Sequence, residues 1–398
     1  VVVLCYSNET KQIIRLFSVS TTPNIGFLSR CLTGRIIKYT LFMGGTVIDV
    51  GIIAQTWKMG QGHGSLIRNV SMHFPEFARE HGLNLGILLV NPPFEFLVGG
   101  RDLGGAMHLW FFRFFKRPKA KILHALDAHV ATQNTQIITL HDVAPIRFPK
   151  FYTSPLLKID WVYKGHMLKK ARFLISNSQF TKNEAVRVLG ISPGKIRVIY
   201  HGINHNQYFV DRERTRFWKP NKLNLVMTGN NDPRKNFSLA VKAAGILREM
   251  GKDVNLVRFG LSEWKEEEEK MRRAAKEGNV NLIEPGLVDV DVLRKTYSTC
   301  DVFVWPSIYE GMGYPPLEAM ACGAKVVALD TEFNREFLGD VPVYVKNDPR
   351  EMAEGILEAL KLDIGTRGIE QARKFTWEKF TKEHMEFYRE LLKENWIA

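Results

Sequence analysis

Short apolar runs alternate with stretches of helical spacing along most of this chain. Apolar runs of four to nine residues, bounded by glycine or polar residues, are typical of buried strands. Where such strands alternate with helices, the pattern favours a parallel sheet covered on both faces. In the first half of the chain, the runs predict strands at 47–55, 85–90, 121–126, 136–140, 172–176 and 196–200.

The alternation pauses at 211–220, a charged stretch that ends in proline and that we interpret as a linker, and then starts again. Phe237, Val241, Ala244 and Leu247 recur at helical spacing before Gly251, which predicts a helix over 237–250. Two successive α/β domains follow from the pattern, with ligands expected at the carboxyl ends of the strands. The other elements predicted here are strands at 223–227, 255–259, 280–283, 302–305 and 325–328, and helices at 290–299 and 317–321.

The first 42 residues show no regular period and carry one acidic residue. The polar stretch 18–24 interrupts any apolar core, so the segment does not fit a secretory signal. We therefore interpret residues 1–42 as a poorly defined extension and expect the first domain to begin near Met43, before Gly44.

Composition narrows the class of protein. Of the 398 residues, 45% are hydrophobic and 24% are charged, which excludes a disordered or fibrous chain. No apolar run approaches the ~18 residues that a membrane-spanning helix needs. The cysteines form no Cys-x-x-Cys pair, which favours a reducing compartment and a cytoplasmic protein over a zinc site or a disulfide framework. They are Cys5, Cys31, Cys300 and Cys322.

The positive charge lies in one half of the chain. Residues 1–205 hold 25 Lys/Arg and 10 Asp/Glu, a balance of +15, whereas residues 206–398 hold 30 and 32, a balance of −2. An anionic membrane, a phosphorylated substrate, nucleic acid or plain solvation could each account for this. The stretch 109–119 joins five aromatic residues to cations, a composition that suits a membrane contact or a buried helix end. No glycine-flanked aromatic motif accompanies it, so we expect no nucleic-acid partner.

The densest chemistry lies in 307–323. Glu310 is predicted at the end of a strand and Glu318 in the first turn of the following helix. A carboxylate at each end of a thin loop can accept hydrogen bonds from hydroxyls, while N–H groups at the helix start face an anion. Sugar hydroxyls plus a diphosphate would suit this layout, although Glu318 could simply favour the helix dipole. The loop and helix start contain Gly311, Met312, Gly313, Pro315 and Pro316.

Other motifs do not lead to a site. Asp289 and Asp291 form an Asp-x-Asp pair, but they start a predicted helix, where acids favour the N-terminus, so we expect no metal there. Gly62 and Gly64 do not complete a dinucleotide fingerprint. The chain has neither a Gly-x-Ser-x-Gly elbow nor a lysine-containing phosphate loop.

The segment 307–323 resembles the Glu-x7-Glu signature of glycosyltransferase family 4, a family of retaining, metal-independent enzymes. Three further segments, 175–204, 228–236 and 372–378, resemble other parts of the same family in the expected order. The resemblance implies the GT-B fold, with two Rossmann-like domains whose parallel sheets face across a cleft. It divides the chain into an acceptor-side domain at 43–210, a nucleotide-sugar domain at 221–375, and a C-terminal helix at 376–398 that packs back on the first domain.

The resemblance also implies roles for single residues. Glu310 would meet the donor sugar hydroxyls and Glu318 the ribose hydroxyls, while Lys235 and Arg234 would hold the diphosphate. The family often has arginine where this chain has Asn230, a charge that Arg234 would supply. From the first domain, Gly62 and Gly64 would approach the phosphates and His141 would lie near the sugar and the acceptor. The implied catalytic residues are Glu310, His141 and Lys235, and Gly311, Met312 and Gly313 complete the donor site.

The implied activity is that of a retaining, mannosyltransferase-like hexosyltransferase without a cofactor. Its partners would be a nucleotide-sugar donor and a glycan, lipid-linked or phosphorylated acceptor, at an anionic inner-membrane face. Base, sugar and acceptor stay open. Two alternatives also remain: another GT-B enzyme, such as a nucleotide-sugar epimerase, and a basic binding protein with a degenerate site.

Overall fold

The computed structural model describes residues 2–7, 12–18, 39–42, 48–55, 62–90 and 120–394. The chain forms two compact units, Val1–Tyr200 with Trp377–Ala398, and His201–Thr376. The described strands are β1 Val2–Ser7, β2 Gln12–Ser18, β3 Tyr39–Phe42, β4 Ile48–Gln55, β5 Leu85–Val90, β6 Ala120–Ala125, β7 Ile137–Leu140, β8 Phe173–Ser176, β9 Ile196–Val198, β10 Leu223–Thr228, β11 Val254–Phe259, β12 Asn281–Gly286, β13 Val302–Trp305, β14 Val326–Leu329 and β15 Val343–Val345. The described α-helices are α1 Gly62–Glu80, α2 Ala144–Arg147, α3 Pro155–Lys170, α4 Gln179–Leu189, α5 Phe237–Glu249, α6 Lys265–Glu277, α7 Val290–Thr299, α8 Tyr314–Ala321, α9 Glu332–Leu338, α10 Pro349–Lys361, α11 Gly365–Ala372 and α12 Trp377–Lys393.

The first unit is built on a sheet in the order β2-β1-β3-β5-β4-β6-β7-β8-β9. The strands from β4 to β9 pair in parallel, as the alternating pattern predicted. At one edge, β1, β2 and β3 pair antiparallel, a feature that the sequence analysis missed in residues 1–42. The backbone hydrogen bonds of this pairing join segments that are distant in sequence, such as Val2 and Phe42, and the local side-chain pattern does not report them.

Local signals explain where α4 begins and ends. The Ser178 side chain accepts a hydrogen bond from the Thr181 amide (2.9 Å), which satisfies one of the unpaired N–H groups of the first turn. Gly190 then adopts a left-handed conformation (φ 67°) that favours glycine and ends the helix. These signals set the bounds of the helix that connects β8 to β9 and packs against both strands.

Helix α12 belongs to the first unit although it is its last segment in sequence. Its Tyr388 hydroxyl lies 2.6 Å from Nδ1 of His124, a buried residue of β6. Its Phe380 ring packs 5.7 Å from the ring of Phe74 in α1. Apolar contacts and one buried hydrogen bond therefore hold the chain end on the first sheet.

The second unit has a fully parallel sheet in the order β12-β11-β10-β13-β14-β15. Its central strands are apolar on both faces, as strands covered by helices on both sides must be. The helices α5 and α10 bury Ala244, Leu247 and Ile356 in its core. The segment 211–220, which we interpreted as a linker, is packed in this unit because it carries Phe217 and Trp218, which are both buried.

Candidate functional site

A loop at the carboxyl end of β10 carries two of the cations singled out by sequence. Thr228 ends the strand, and Gly229 follows with φ 138°, a conformation that other residues rarely adopt. A Cβ at Gly229 would lie 3.3 Å from Cε of Lys235, and one at Gly260 would lie 2.2 Å from the Gly229 carbonyl oxygen. Glycine at both positions therefore lets the loop lie against the end of β11 and close to Lys235.

Arg258 is hydrogen-bonded to the same loop, and the sequence analysis did not identify this residue. It is almost fully buried at the end of β11, where its guanidinium pairs with the Glu284 carboxylate at 2.6 Å. It also donates hydrogen bonds to the carbonyl oxygen of Gly229 (3.0 Å) and to Oγ of Ser262 (2.6 Å). The available signal was the one charged residue in the buried strand Val254–Phe259. A buried charge needs such partners, so Arg258 acts as a positioning residue.

The structure brings Arg234, Lys235 and Glu310 together. Nζ of Lys235 lies 2.7 Å from Oε1 of Glu310, and NH1 of Arg234 lies 4.0 Å from Oε2 of the same carboxylate. Ser307 donates a hydrogen bond to Oε1 of Glu310 at 2.6 Å. The Trp305 ring lies 4.6 Å from Lys235 Nζ, within range of a cation–π contact. Two cations and one carboxylate thus share a mostly buried site at the carboxyl end of the second sheet.

Backbone hydrogen bonds fix the two loops that carry this cluster. The amide of Ile308 donates a hydrogen bond to the carbonyl oxygen of Arg234 at 2.9 Å. The Asp232 carboxylate accepts from the backbone amide and from Nε of Arg234. The Arg234 side chain is therefore oriented by Asp232 and pre-positioned rather than free to sample rotamers.

Two expectations about the 307–323 segment need correction. Strand β13 ends at Trp305, so Glu310 lies in the loop beyond the strand and not at its end. Helix α8 starts at Tyr314, so Glu318 lies in its second turn and not in its first. The reason is that Pro315 and Pro316 can occupy the first turn, where no N–H donor is required, so the helix begins earlier. Glu318 is therefore not placed to cap the helix.

The Glu318 carboxyl lies among tyrosines that the sequence analysis did not connect with it. Tyr208 makes a side-chain hydrogen bond to Glu318. Burial raises the pKa of the Glu318 carboxyl to about 7, and the Tyr208 hydrogen bond opposes that rise. Burial, followed by the nearby Glu318, raises the pKa of Tyr314, whose hydroxyl lies 2.5 Å from Nδ1 of His201. Glu318 is thus a carboxyl that changes protonation near neutral pH.

The loop between Glu310 and α8 is tightly packed. Gly311, Met312 and Gly313 are all buried. A Cβ at Gly313 would come within 3.2 Å of Cγ of Pro316, so glycine keeps the loop close to the helix start. Their role in the donor site stays a prediction.

The remaining predicted site residues belong to the first unit. Gly62 and Gly64 lie within the first turn of α1. Their amides are therefore among the N–H groups that a helix leaves without an internal partner. His141 follows β7 directly, and its Nε2 lies 2.8 Å from the carbonyl oxygen of Leu126.

A group of charged residues lies next to His141. Asp127 has one carboxylate oxygen 2.5 Å from Nδ1 of His129 and the other 3.9 Å from Nε2 of His141. Asp160 lies 3.3 Å from Nε2 of His129 and 2.6 Å from Nζ of Lys164. Burial opposes protonation of His129, but Asp127 and Asp160 outweigh it and raise the His129 pKa to about 9. The group is balanced in charge, with two carboxylates facing His129 and Lys164.

Within the described residues, no group of three or more His, Cys, Asp or Glu side chains is arranged to hold a metal ion. Asp289 occupies the N-cap position of α7, and Asp291 pairs with Arg294 at 2.6 Å. The Asp-x-Asp pair is thus part of a helix start.

Comparison with known proteins gives consistent matches. Residues 211–376 match the family Glycosyl transferases group 1, and residues 68–207 match Glycosyltransferase Family 4. The chain is 26% identical over 338 residues to O-antigen chain mannosyltransferase B of Escherichia coli, covering 78% of this chain and 84% of that protein.

Two solved structures show the fold. Sucrose-phosphate synthase from Thermosynechococcus elongatus has a TM-score of 0.70 at 18% identity, covering 87% of this chain and 100% of that one. WaaG, a glycosyltransferase involved in lipopolysaccharide biosynthesis, has a TM-score of 0.63 at 14% identity, covering 85% and 99%. These likenesses confirm the predicted GT-B class with two α/β domains.

Proposed function

The chain belongs to the family 4 glycosyltransferases, and we propose that it transfers mannose from a nucleotide-sugar to a hydroxyl of a growing cell-surface polysaccharide. The observation that carries this proposal is the cluster of Arg234, Lys235 and Glu310 at the carboxyl end of the second sheet. The mannosyltransferase among its relatives supports the choice of sugar.

The ion pair between Lys235 and Glu310 matches the two halves of such a donor. A diphosphate would take Lys235 and Arg234 as partners, because charge-assisted hydrogen bonds from cations are the strong contacts for phosphate. Glu310 would then accept hydrogen bonds from the sugar hydroxyls in place of the Lys235 ammonium. Each group would exchange one charged or polar partner for another, so the bound donor would leave none of them buried and unpaired.

The site can lower the reaction barrier mainly by stabilising the negative charge on the leaving diphosphate. Lys235 and Arg234 would stabilise the negative charge that builds as the sugar–phosphate bond breaks, without a metal ion. Glu318 would accept hydrogen bonds from the ribose hydroxyls. We propose front-face attack by the acceptor hydroxyl, with its proton passing to the departing phosphate, which retains the configuration at the sugar.

The first unit would present the acceptor. His141 and the amides of Gly62 and Gly64 would face the acceptor and the phosphates at the carboxyl edge of the first sheet. None of the helices that the structure describes is long and apolar enough to cross a membrane. With the +15 balance of residues 1–205, we propose a lipid-linked or phosphorylated acceptor, met at the anionic cytoplasmic face of a membrane.

Nucleotide binding tests the donor site directly. The purified protein is titrated with UDP, GDP, ADP and TDP, each with a chelator and with magnesium. We expect saturable, metal-independent binding of one nucleotide, weakened about tenfold or more in Lys235→Ala and in Glu318→Ala. Lys346→Ala is the matched control, because Lys346 also pairs with a glutamate at 3.0 Å but is exposed. Equal binding by all four proteins, or no binding at all, would contradict the proposed site.

Transfer is then measured with the mannose donor of the nucleotide that binds, with and without a mannoside acceptor. We expect nucleotide release to rise when the acceptor is added, and the new glycosidic bond to keep the configuration of the donor. Full turnover without an acceptor would instead indicate an epimerase-type reaction.

A further inference from the structure

Helix α3 in the first unit exposes two large aliphatic side chains. Val162 is 75% exposed and Ile159 is 60% exposed. Among the large hydrophobic residues that the structure describes, only Leu287 in the second unit reaches the same range, at 60%. Ile159 and Val162 are three positions apart, so they lie side by side on the helix surface.

Three lysines flank this aliphatic pair. Lys158, Lys169 and Lys170 are exposed on α3, and so is His166. At about 100° per residue they fall, with Ile159 and Val162, within an arc of about 120°. We call these six residues the α3 face.

No negative charge of the helix offsets those cations. Asp160 is the one acidic residue in α3, and it is buried and paired with Lys164 at 2.6 Å. Lys195 adds a further cation beside the helix end, where its Nζ donates to the carbonyl oxygen of Lys169 at 3.0 Å. The α3 face is therefore both apolar and cationic.

Helix electrostatics explains only part of this composition. Cations at the end of a helix are favoured by its dipole, which accounts for Lys169 and Lys170. It accounts neither for Lys158 near the start of the helix nor for two aliphatic side chains left in water. Leaving such a pair exposed forgoes burial energy, which a surface that covered the pair would recover.

We propose that the α3 face is the surface by which this enzyme binds an anionic lipid bilayer, an inference that rests on the membrane location proposed above. Aliphatic side chains at the centre of the face would enter the headgroup region, while the surrounding lysines bind anionic headgroups. Nucleic acid would use the lysines but would gain little from Ile159 and Val162, so the combination favours lipid.

Vesicle flotation at low salt tests the proposal, with vesicles of phosphatidylcholine alone or mixed with phosphatidylglycerol. The wild-type chain is compared with the double variant Ile159→Ser/Val162→Ser and the triple variant Lys158→Gln/Lys169→Gln/Lys170→Gln. We expect binding to the anionic vesicles only, weakened about tenfold or more by the serine pair and roughly a hundredfold by the glutamine triple. All these side chains are exposed, so the variants should fold normally, which circular dichroism and thermal unfolding check.

Matched controls lie in the second unit. Leu287→Ser removes an aliphatic side chain of equal exposure, and the triple variant Lys252→Gln/Lys276→Gln/Lys361→Gln makes the same change in net charge at exposed positions. Both should bind vesicles like the wild type. Transfer to a mannoside acceptor in solution should be unchanged in every variant, because none of these residues belongs to the proposed catalytic or donor site.

The results distinguish failure of the α3 face from failure of the proposed membrane location. Wild-type binding that the α3 variants do not weaken would overturn the α3 face and leave the membrane proposal standing. A wild type that does not float at low salt would overturn both, while transfer in solution would still support the transferase. A single-stranded oligonucleotide that competes with vesicles and needs only the lysines would mark the face as a nucleic-acid surface. Self-association lost in the serine pair would mark it as an interface between copies of this chain.

Discussion

The contact between Tyr208 and Glu318 controls the charge state of a residue in the proposed donor site. Burial makes the Glu318 carboxylate harder to form, and the Tyr208 hydroxyl offsets part of that effect by donating a hydrogen bond to it. The carboxylate is the form that can accept two hydrogen bonds from a pair of ribose hydroxyls. Nucleotide affinity should therefore follow the ionisation of Glu318.

We predict that nucleotide affinity falls as the pH is lowered through about 7, the pKa of Glu318. In Tyr208→Phe the pKa should rise further, since the hydrogen bond that lowers it is lost, so the midpoint of the affinity profile moves to higher pH. Calorimetric titrations at a series of pH values measure the profile. Tyr344→Phe, which changes a tyrosine elsewhere in the second unit, should leave the midpoint unchanged. An unchanged midpoint in Tyr208→Phe would contradict the prediction and show that Tyr208 only fills space.

Arg258 should matter through the loop that it holds. Arg258→Lys keeps the charge near Glu284 but cannot make the same set of hydrogen bonds to Gly229 and Ser262. We predict a loss of roughly 1–3 kcal/mol in unfolding free energy and a weaker nucleotide affinity.

Urea unfolding and calorimetry measure both effects of Arg258→Lys. The control is Arg335→Lys, because Arg335 likewise pairs with a carboxylate, that of Asp330, but is half exposed. Its effect should stay within about 0.5 kcal/mol. A stability loss in Arg258→Lys without any change in affinity would show that the loop does not depend on this residue.

At the scale of elements, α12 depends on buried histidines. His384 packs 4.2 Å from the ring of Phe380 and 5.3 Å from that of Phe74, measured between ring centroids. Burial lowers the pKa of His384 from 6.5 to about 4, and lowers that of His124 as well. Both side chains must stay neutral for the helix to remain on the first sheet.

This docking should be sensitive to acid. The unfolded state takes up the His384 proton near pH 6.5 and the folded state only near pH 4. The contribution to stability is therefore complete above about pH 6.5 and is lost as the pH falls toward 4, by about 3 kcal/mol. Urea unfolding across this range should show a weaker pH dependence in His384→Leu than in the wild type. His166→Leu, which replaces an exposed histidine, should keep the wild-type slope.

At the scale of the whole molecule, the four charged residues assigned to the donor lie in one continuous segment. Arg234, Lys235, Glu310 and Glu318 belong to His201–Thr376, which has a parallel sheet and an apolar core of its own. The first unit, in contrast, consists of two segments that are separate in sequence, because α12 packs with residues 1–200.

We predict that residues 201–376 expressed alone fold and bind the same nucleotide as the full chain, without transferring sugar. The measurements are circular dichroism, calorimetry and a transfer assay with a mannoside acceptor. A folded fragment that fails to bind would show that the first unit contributes to nucleotide affinity.

The chain's own pattern determined most of the strands, the division into two α/β domains and the sequence positions of Glu310 and Glu318, whereas Arg234 and Lys235 were identified through the family resemblance. The strands, the domains and the two glutamates follow from signals within a few residues: apolar runs, glycines after strand ends, and prolines at a helix start. The tertiary structure alone decided that Tyr208 contacts Glu318, that Arg258 holds the Gly229 loop, and that Ile159 and Val162 remain exposed. Such facts depend on which distant segments pack together, and local periodicity carries no information about that.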